Sequence, residues 1–187
     1  TINMNGATSS VSVAASGTLT LGSGASNLNV AGSITNAGTL LTGGTSTVNY
    51  KGNTVQTIIA LNYSNLTSSG SGNRTLAGTG TIGVAKAFTQ GTNAYTITGS
   101  TINFNGTGAQ TVPVFNYNNL TISGAHGGNN VTIANTGTVG IAGVITNSST
   151  YGAGSLVTTG STINFNGNAA QTINVFPYYH LTVTKPA

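Results

Sequence analysis

The chain predicts an all-β fold, a β-solenoid or parallel β-helix of stacked coils, on three observations. First, one phrase returns three times: Ser46-Thr47-Val48-Asn49-Tyr50, Ser100-Thr101-Ile102-Asn103-Phe104 and Ser161-Thr162-Ile163-Asn164-Phe165. Recurrence at a spacing of about 55–60 residues marks an array in which each unit buries its apolar face on a neighbour. Second, short runs of β-branched residues alternate with polar ones between Gly, Ser and Asn, the pattern of half-buried strands. Third, no stretch sustains apolar residues at helical spacing, and the 28 glycines would each cost a helix interior about 1 kcal/mol relative to Ala.

Taken in chain order, Val11-Ser12-Val13, Thr18-Leu19-Thr20-Leu21, Leu28-Asn29-Val30, Thr96-Ile97-Thr98, Leu120-Thr121-Ile122 and Val131-Thr132-Ile133 read as strands. Within the recurring phrase, alternation sends Val48/Tyr50, Ile102/Phe104 and Ile163/Phe165 inward and the Thr and Asn side chains outward. Each copy is followed by a glycine (Gly52, Gly106, Gly167) and then by Gln-Thr-aliphatic, at Gln56, Gln110 and Gln171. The Asn-Gly steps 105–106 and 166–167 are expected to supply positive-φ corners. A second phrase, Leu28-Asn29-Val30-Ala31-Gly32-Ser33-Ile34-Thr35-Asn36, returns as Val139 to Asn147 and more loosely from Ile82 to Thr89.

Both phrases cycle in one order without a linker. That predicts a single elongated domain over 1–187, with super-repeats at approximately 1–43, 44–98, 99–159 and 160–187. A unit of this length holds two or three coils, stacked at about 4.7–4.9 Å so that like residues lie above like. Asn and Thr ladders are then expected on the outer face. The rival fold is an array of β-sandwiches, which turn signals every 8–12 residues also suit.

The string 105–112, Asn-Gly-Thr-Gly-Ala-Gln-Thr-Val, followed by Tyr117-Asn118-Asn119-Leu120-Thr121-Ile122, resembles the β-strand-repeat segments of very large secreted surface proteins and adhesins of Bacteroidota-like bacteria. The resemblance implies an extracellular or cell-surface β-helical stalk, filament or adhesin, and it brings no catalytic residue with it. The first residue, Thr1, fits a processed product or a piece of something longer.

Composition limits the chemistry. There is no Asp, Glu or Cys, and the fixed cations are four in number: Lys51, Arg74, Lys86 and Lys185. A glycosidase carboxylate pair and an Asp/Glu calcium cage are therefore excluded within the chain. The scattered cations form no basic stripe, which argues against a nucleic-acid partner, and no apolar run reaches the ~18 residues of a membrane span. Gly70-Ser71-Gly72 and Gly78-Thr79-Gly80 lack the Lys-Ser/Thr of a phosphate loop and read as turns. His126 and His180 read as surface histidines, with no acid to orient either imidazole. No catalytic residue, cofactor or metal ligand is expected.

The leading expectation is a non-enzymatic structural protein that assembles head-to-tail with itself, or with flanking repeats of a longer chain, through strand edges. Those edges are Thr1, Ile2, Asn3 and Met4 at one end and Leu181, Thr182, Val183 and Thr184 at the other. The alternatives are a glycan- or surface-binding module and an ice-binding protein. For a glycan, Tyr117 and Tyr178, in the set Tyr63/Tyr117/Tyr178 expected to be partly exposed, are the contact residues. For ice, the pairs Thr18/Thr20, Thr96/Thr98 and Thr182/Thr184 are the candidates.

Overall fold

The computed structural model describes the backbone of residues 2–3, and residues 9–22 and 24–185 in full. Thr1 and Met4, two of the expected edge residues, lie outside the described residues. All regular structure among them is β, and the parallel strands stack as a β-solenoid, as the sequence predicts. The chain divides into two compact units, Thr1–Ala77 with Thr81–Thr96, and Gly78–Gly80 with Ile97–Ala187.

The strands of unit 1 are β1 Ile2–Asn3, β2 Val11–Val13, β3 Thr18–Leu21, β4 Asn27–Val30, β5 Ile34–Asn36, β6 Thr39–Thr42, β7 Thr47–Tyr50, β8 Gln56–Ile58, β9 Asn62–Tyr63, β10 Asn65–Ser68, β11 Arg74–Leu76, β12 Ile82–Val84, β13 Phe88–Thr89 and β14 Tyr95–Thr96. Every third strand pairs, in parallel: β1-β4-β7-β10-β13 form one sheet, β8-β11-β14 another, and β2-β5, β3-β6 and β9-β12 pair likewise. Three strands therefore make one coil. Leu28, Val48 and Leu66 stack in register down the first sheet and are all buried.

Unit 2 repeats the design. Its strands are β15 Thr101–Phe104, β16 Gln110–Val112, β17 Asn116–Tyr117, β18 Asn119–Ile122, β19 Val131–Ile133, β20 Thr138–Ile141, β21 Ile145–Asn147, β22 Leu156–Val157, β23 Thr162–Phe165 and β24 His180–Val183. They stack as β15-β18-β21, β16-β19-β22 and β17-β20-β23-β24. The expected inward residues Val48, Tyr50, Ile102, Phe104, Ile163 and Phe165 are all buried. Their alternate neighbours are half-exposed and build the expected outer ladders: Asn49 Nδ2 donates to Asn29 Oδ1 at 3.0 Å, and Ser69 Oγ to Asn49 Oδ1 at 2.9 Å. In unit 2, Ser123 Oγ donates to Asn103 Oδ1 at 2.9 Å.

Three sequence expectations are corrected. Copies of the phrase do not lie above one another: β15 and β23 belong to different sheets, because they are eight strands apart and a coil takes three. What stacks on each copy is the unlike strand one coil later, as Thr101–Phe104 does on Asn119–Ile122. The positive-φ glycines also precede the phrase rather than follow it. Gly99 (φ 75°) and Gly160 (φ 78°) turn the chain into Ser100 and Ser161, whose hydroxyls donate to the carbonyls of Ile97 and Thr158 at 2.6 and 2.7 Å. Gly106 and Gly167 are not left-handed. Finally, the strand expected over 96–98 ends at Thr96, since Thr98 and Gly99 form the turn.

Candidate functional site

The Gly…Gln element of the repeat is a corner lock. The amides of Gly52, Gly106 and Gly167 donate to Oε1 of Gln56, Gln110 and Gln171 at 2.7, 2.8 and 2.7 Å. Gln171 Nε2 then donates to the carbonyls of Ile141 and Gly143, one coil back, at 2.8 and 3.0 Å. Gln56 Nε2 treats Val30 and Gly32 in the same way. Glycine is required for close approach: a Cβ on Gly167 would lie 2.0 Å from the Ala142 carbonyl oxygen, and one on Gly52 2.3 Å from that of Ala31. One amide side chain thus serves three backbone groups at the corner, adding a second donor to the Val30 and Ile141 carbonyls, which already accept the Lys51 and Asn166 amides.

Arg74 performs this task one coil on from Gln56, with which it is in register. Its guanidinium is buried without a carboxylate and donates to carbonyls instead. Nη2 reaches the Tyr50 carbonyl at 2.8 Å, the Gly52 carbonyl at 3.2 Å and that of Ser69; Nη1 reaches Gly72 and Asn73; Nε reaches Ser68 Oγ at 2.8 Å. Tyr50 and Gly52 are the counterparts of the carbonyls that Gln56 serves on the coil before. Burial lowers the pKa of Arg74 and nearby Tyr95 works the other way. The residue reads in sequence as a stray cation, yet Arg74-Thr75-Leu76 matches Gln56-Thr57-Ile58, the signal that it replaces the glutamine.

The second tyrosine set is structural. Tyr63 and Tyr117 are buried, which corrects their expected partial exposure and removes Tyr117 as a glycan contact; Tyr178 is half-buried. Each hydroxyl donates to the carbonyl four residues earlier: Tyr63 to Ile59, Tyr117 to Pro113 and Tyr178 to Asn174, at 3.0, 3.1 and 3.0 Å. Each ring meets the aromatic of its own phrase edge-on, with centroids at 6.4 Å for Tyr50–Tyr63, 6.2 Å for Phe104–Tyr117 and 6.1 Å for Phe165–Tyr178.

Burial pushes the Tyr50 phenol up to about 12 and those of Tyr63 and Tyr117 well above the ordinary 10.0. A folded-state pKa above the unfolded value makes a contribution to stability that is complete below pH 10 and is lost as pH rises towards 12. Thermal melts are therefore expected to fall by about 4–8 °C or more between pH 10 and pH 12, and phenolate absorbance from these three rings to appear only as the circular dichroism is lost. Ionisation with the fold intact would contradict their burial.

His126 is also buried, not a surface residue: its ring stacks on Tyr151 at 5.5 Å and Nδ1 pairs with the Gly108 carbonyl at 2.9 Å. His180 is exposed on β24. Among the described residues no three His, Cys, Asp or Glu side chains gather as a metal site. No helix there is long and apolar enough to cross a membrane. Of the Thr pairs, Thr57, Thr75 and Thr96 align in single file, but Thr20 is in register with Leu41, which interrupts a second column.

Two surfaces of unit 2 bear on function. On β24 the residues at core positions, Leu181 and Val183, are 42% and 58% exposed, whereas their register partners on β23, Ile163 and Phe165, are 0% and 1% exposed. Elsewhere a groove of about 520 Å³ is lined by Asn116, Asn118, Asn166 and Asn168, with Ile97 and Ala142 among its apolar members. Comparison with protein-family models, with curated proteins and with solved structures returns no match for this chain.

Proposed function

We propose that the chain is a non-enzymatic structural module, a segment or subunit of an extracellular bacterial surface fibre or adhesin, and that β24 receives the next rung from a second copy. The β-solenoid fold suits a structural or binding repeat module. The observation that carries the finer reading is the uncovered core cross-section at β24. Leu181 and Val183 stand where the earlier strands of their own sheet, β17, β20 and β23, hold buried Tyr117, Val139, Ile141, Ile163 and Phe165, and among the described residues β24 pairs with β23 alone. Proteins blunt such an edge with charge, proline or a cap, and β24 itself carries no Lys, Arg or Pro. In unit 1, among the described residues, β1 pairs with β4 alone. The resemblance to surface-protein repeats supports the extracellular setting.

The test is sedimentation velocity with negative-stain microscopy over rising concentration. The wild-type chain is expected to form end-to-end particles that lengthen with concentration. Val183→Lys, a change at an exposed position that leaves the fold intact, is expected to weaken association at least about 100-fold, since stacking would bury an unpaired charge. A wild-type chain that stays single at millimolar concentration, or a variant that assembles like it, would overturn the reading.

A further inference from the structure

We infer that the asparagine-lined groove of unit 2 binds a neutral oligosaccharide, a site separate from rung addition at β24. The groove is built from the ends of three stacked strands. Asn116 is on β17, Asn118 follows it, Ala142 follows β20, and Asn166-Gly167-Asn168 follow β23. Its geometry is fixed from beneath. Gly167 is held by the Gln171 lock, and the amide of Asn166 donates to the Ile141 carbonyl at 2.9 Å. Across the rungs Asn166 Nδ2 donates to Asn116 Oδ1 at 3.2 Å, and the two meet over Gly140, where a Cβ would lie 1.9 Å from Asn116 Oδ1. The missing side chain at Gly140 is what lets the two amides meet.

The lining selects the ligand class by elimination. No charged side chain borders the groove, so an ionic ligand would be desolvated without a counter-charge. An aliphatic ligand would cover the amides of Asn118 and Asn168 without offering them a hydrogen-bond partner. Nor does any aromatic ring line it, which leaves a nucleobase nothing to stack on. A sugar fits each term: an amide offers two donors and an acceptor oxygen, matching hydroxyls that both give and take, while Ile97, Ala142 and Ala169 meet its C–H face. Among the described residues the side chains of Asn118 and Asn168 make no hydrogen bond to protein, so their bonding capacity is open to a ligand. The volume lies within the roughly 300–1,000 Å³ of small-ligand sites.

The test is a side-chain amide NMR titration of the whole ¹⁵N-labelled chain with four neutral probes: cellohexaose, maltohexaose, mannohexaose and chitohexaose. At least one is expected to give saturable shifts at the NH₂ groups of Asn116, Asn118, Asn166 and Asn168. The double change Asn118→Ala with Asn168→Ala, which removes no protein hydrogen bond, is expected to weaken that binding about tenfold or more with an unchanged unfolding curve. Absence of saturation with all four probes, shifts confined to other residues, or undiminished binding by the double variant would overturn the inference.

Discussion

Arg74→Ala is expected to destabilise unit 1 by roughly 3–5 kcal/mol, a large share of the 5–15 kcal/mol that holds a typical domain together. The guanidinium serves five carbonyls, and each buried acceptor left without a donor costs about 1–3 kcal/mol. The total stays below five such terms because other donors remain. The Tyr50 carbonyl also accepts the Ser69 amide, that of Gly52 the Gly72 amide, that of Asn73 the Gln56 amide, and that of Gly72 the Asn93 side chain. Removal of a desolvated charge offsets part of the rest. Arg74→Gln is expected to lose less than Arg74→Ala, since Gln56 does the equivalent work one coil earlier. Arg74→Lys is expected to fail, because three donors on one atom do not span carbonyls on two coils. Denaturant melts give the totals, and hydrogen exchange of the amides of 69–77 localises the loss. An Arg74→Ala protein as stable as wild type would refute the corner role.

Tyr117→Ala is expected to cost unit 2 about 3–5 kcal/mol, the range for deleting a buried aromatic. The ring is buried against Phe104 and Phe115, with centroids 6.2 and 5.0 Å away. Tyr117→Phe keeps the packing and loses the bond to the Pro113 carbonyl, so about 1 kcal/mol is expected. The pair separates the structural role from the ligand-contact role that sequence reasoning gave this residue. A contact residue on the surface would leave the melting curve in place in both variants.

Fold class was legible because a period of two in residues such as Val48/Tyr50 and Ile102/Phe104 names a buried face directly. The parallel stacking followed from recurrence, but its register did not. The spacing of the phrase counts residues, whereas stacking counts strands, and no local pattern shows that a coil takes three of them. The Gly-Gln element was visible and misread, since an Asn-Gly step suggests a turn by conformation and these glycines serve by their small size. Arg74 and Tyr117 were missed for a shared reason: type alone placed a cation and a phenol near water, while their partners are main-chain carbonyls, which composition does not display. The groove depends on Asn116 and Asn166 meeting across Gly140, a proximity only the coiled chain creates.

The mismatch between an eight-strand phrase period and a three-strand coil has a consequence for how such a chain grows in its gene. Tandem duplication of one period adds two turns and two thirds, so each new copy arrives rotated by a third of a turn and lands against a different sequence. Identical segments are kept from adjoining, which removes the self-matching pairs that favour register slippage and amyloid-like stacking. The arrangement works as a vernier: a residue grafted at one phrase position in the three copies would fall on three different sheets.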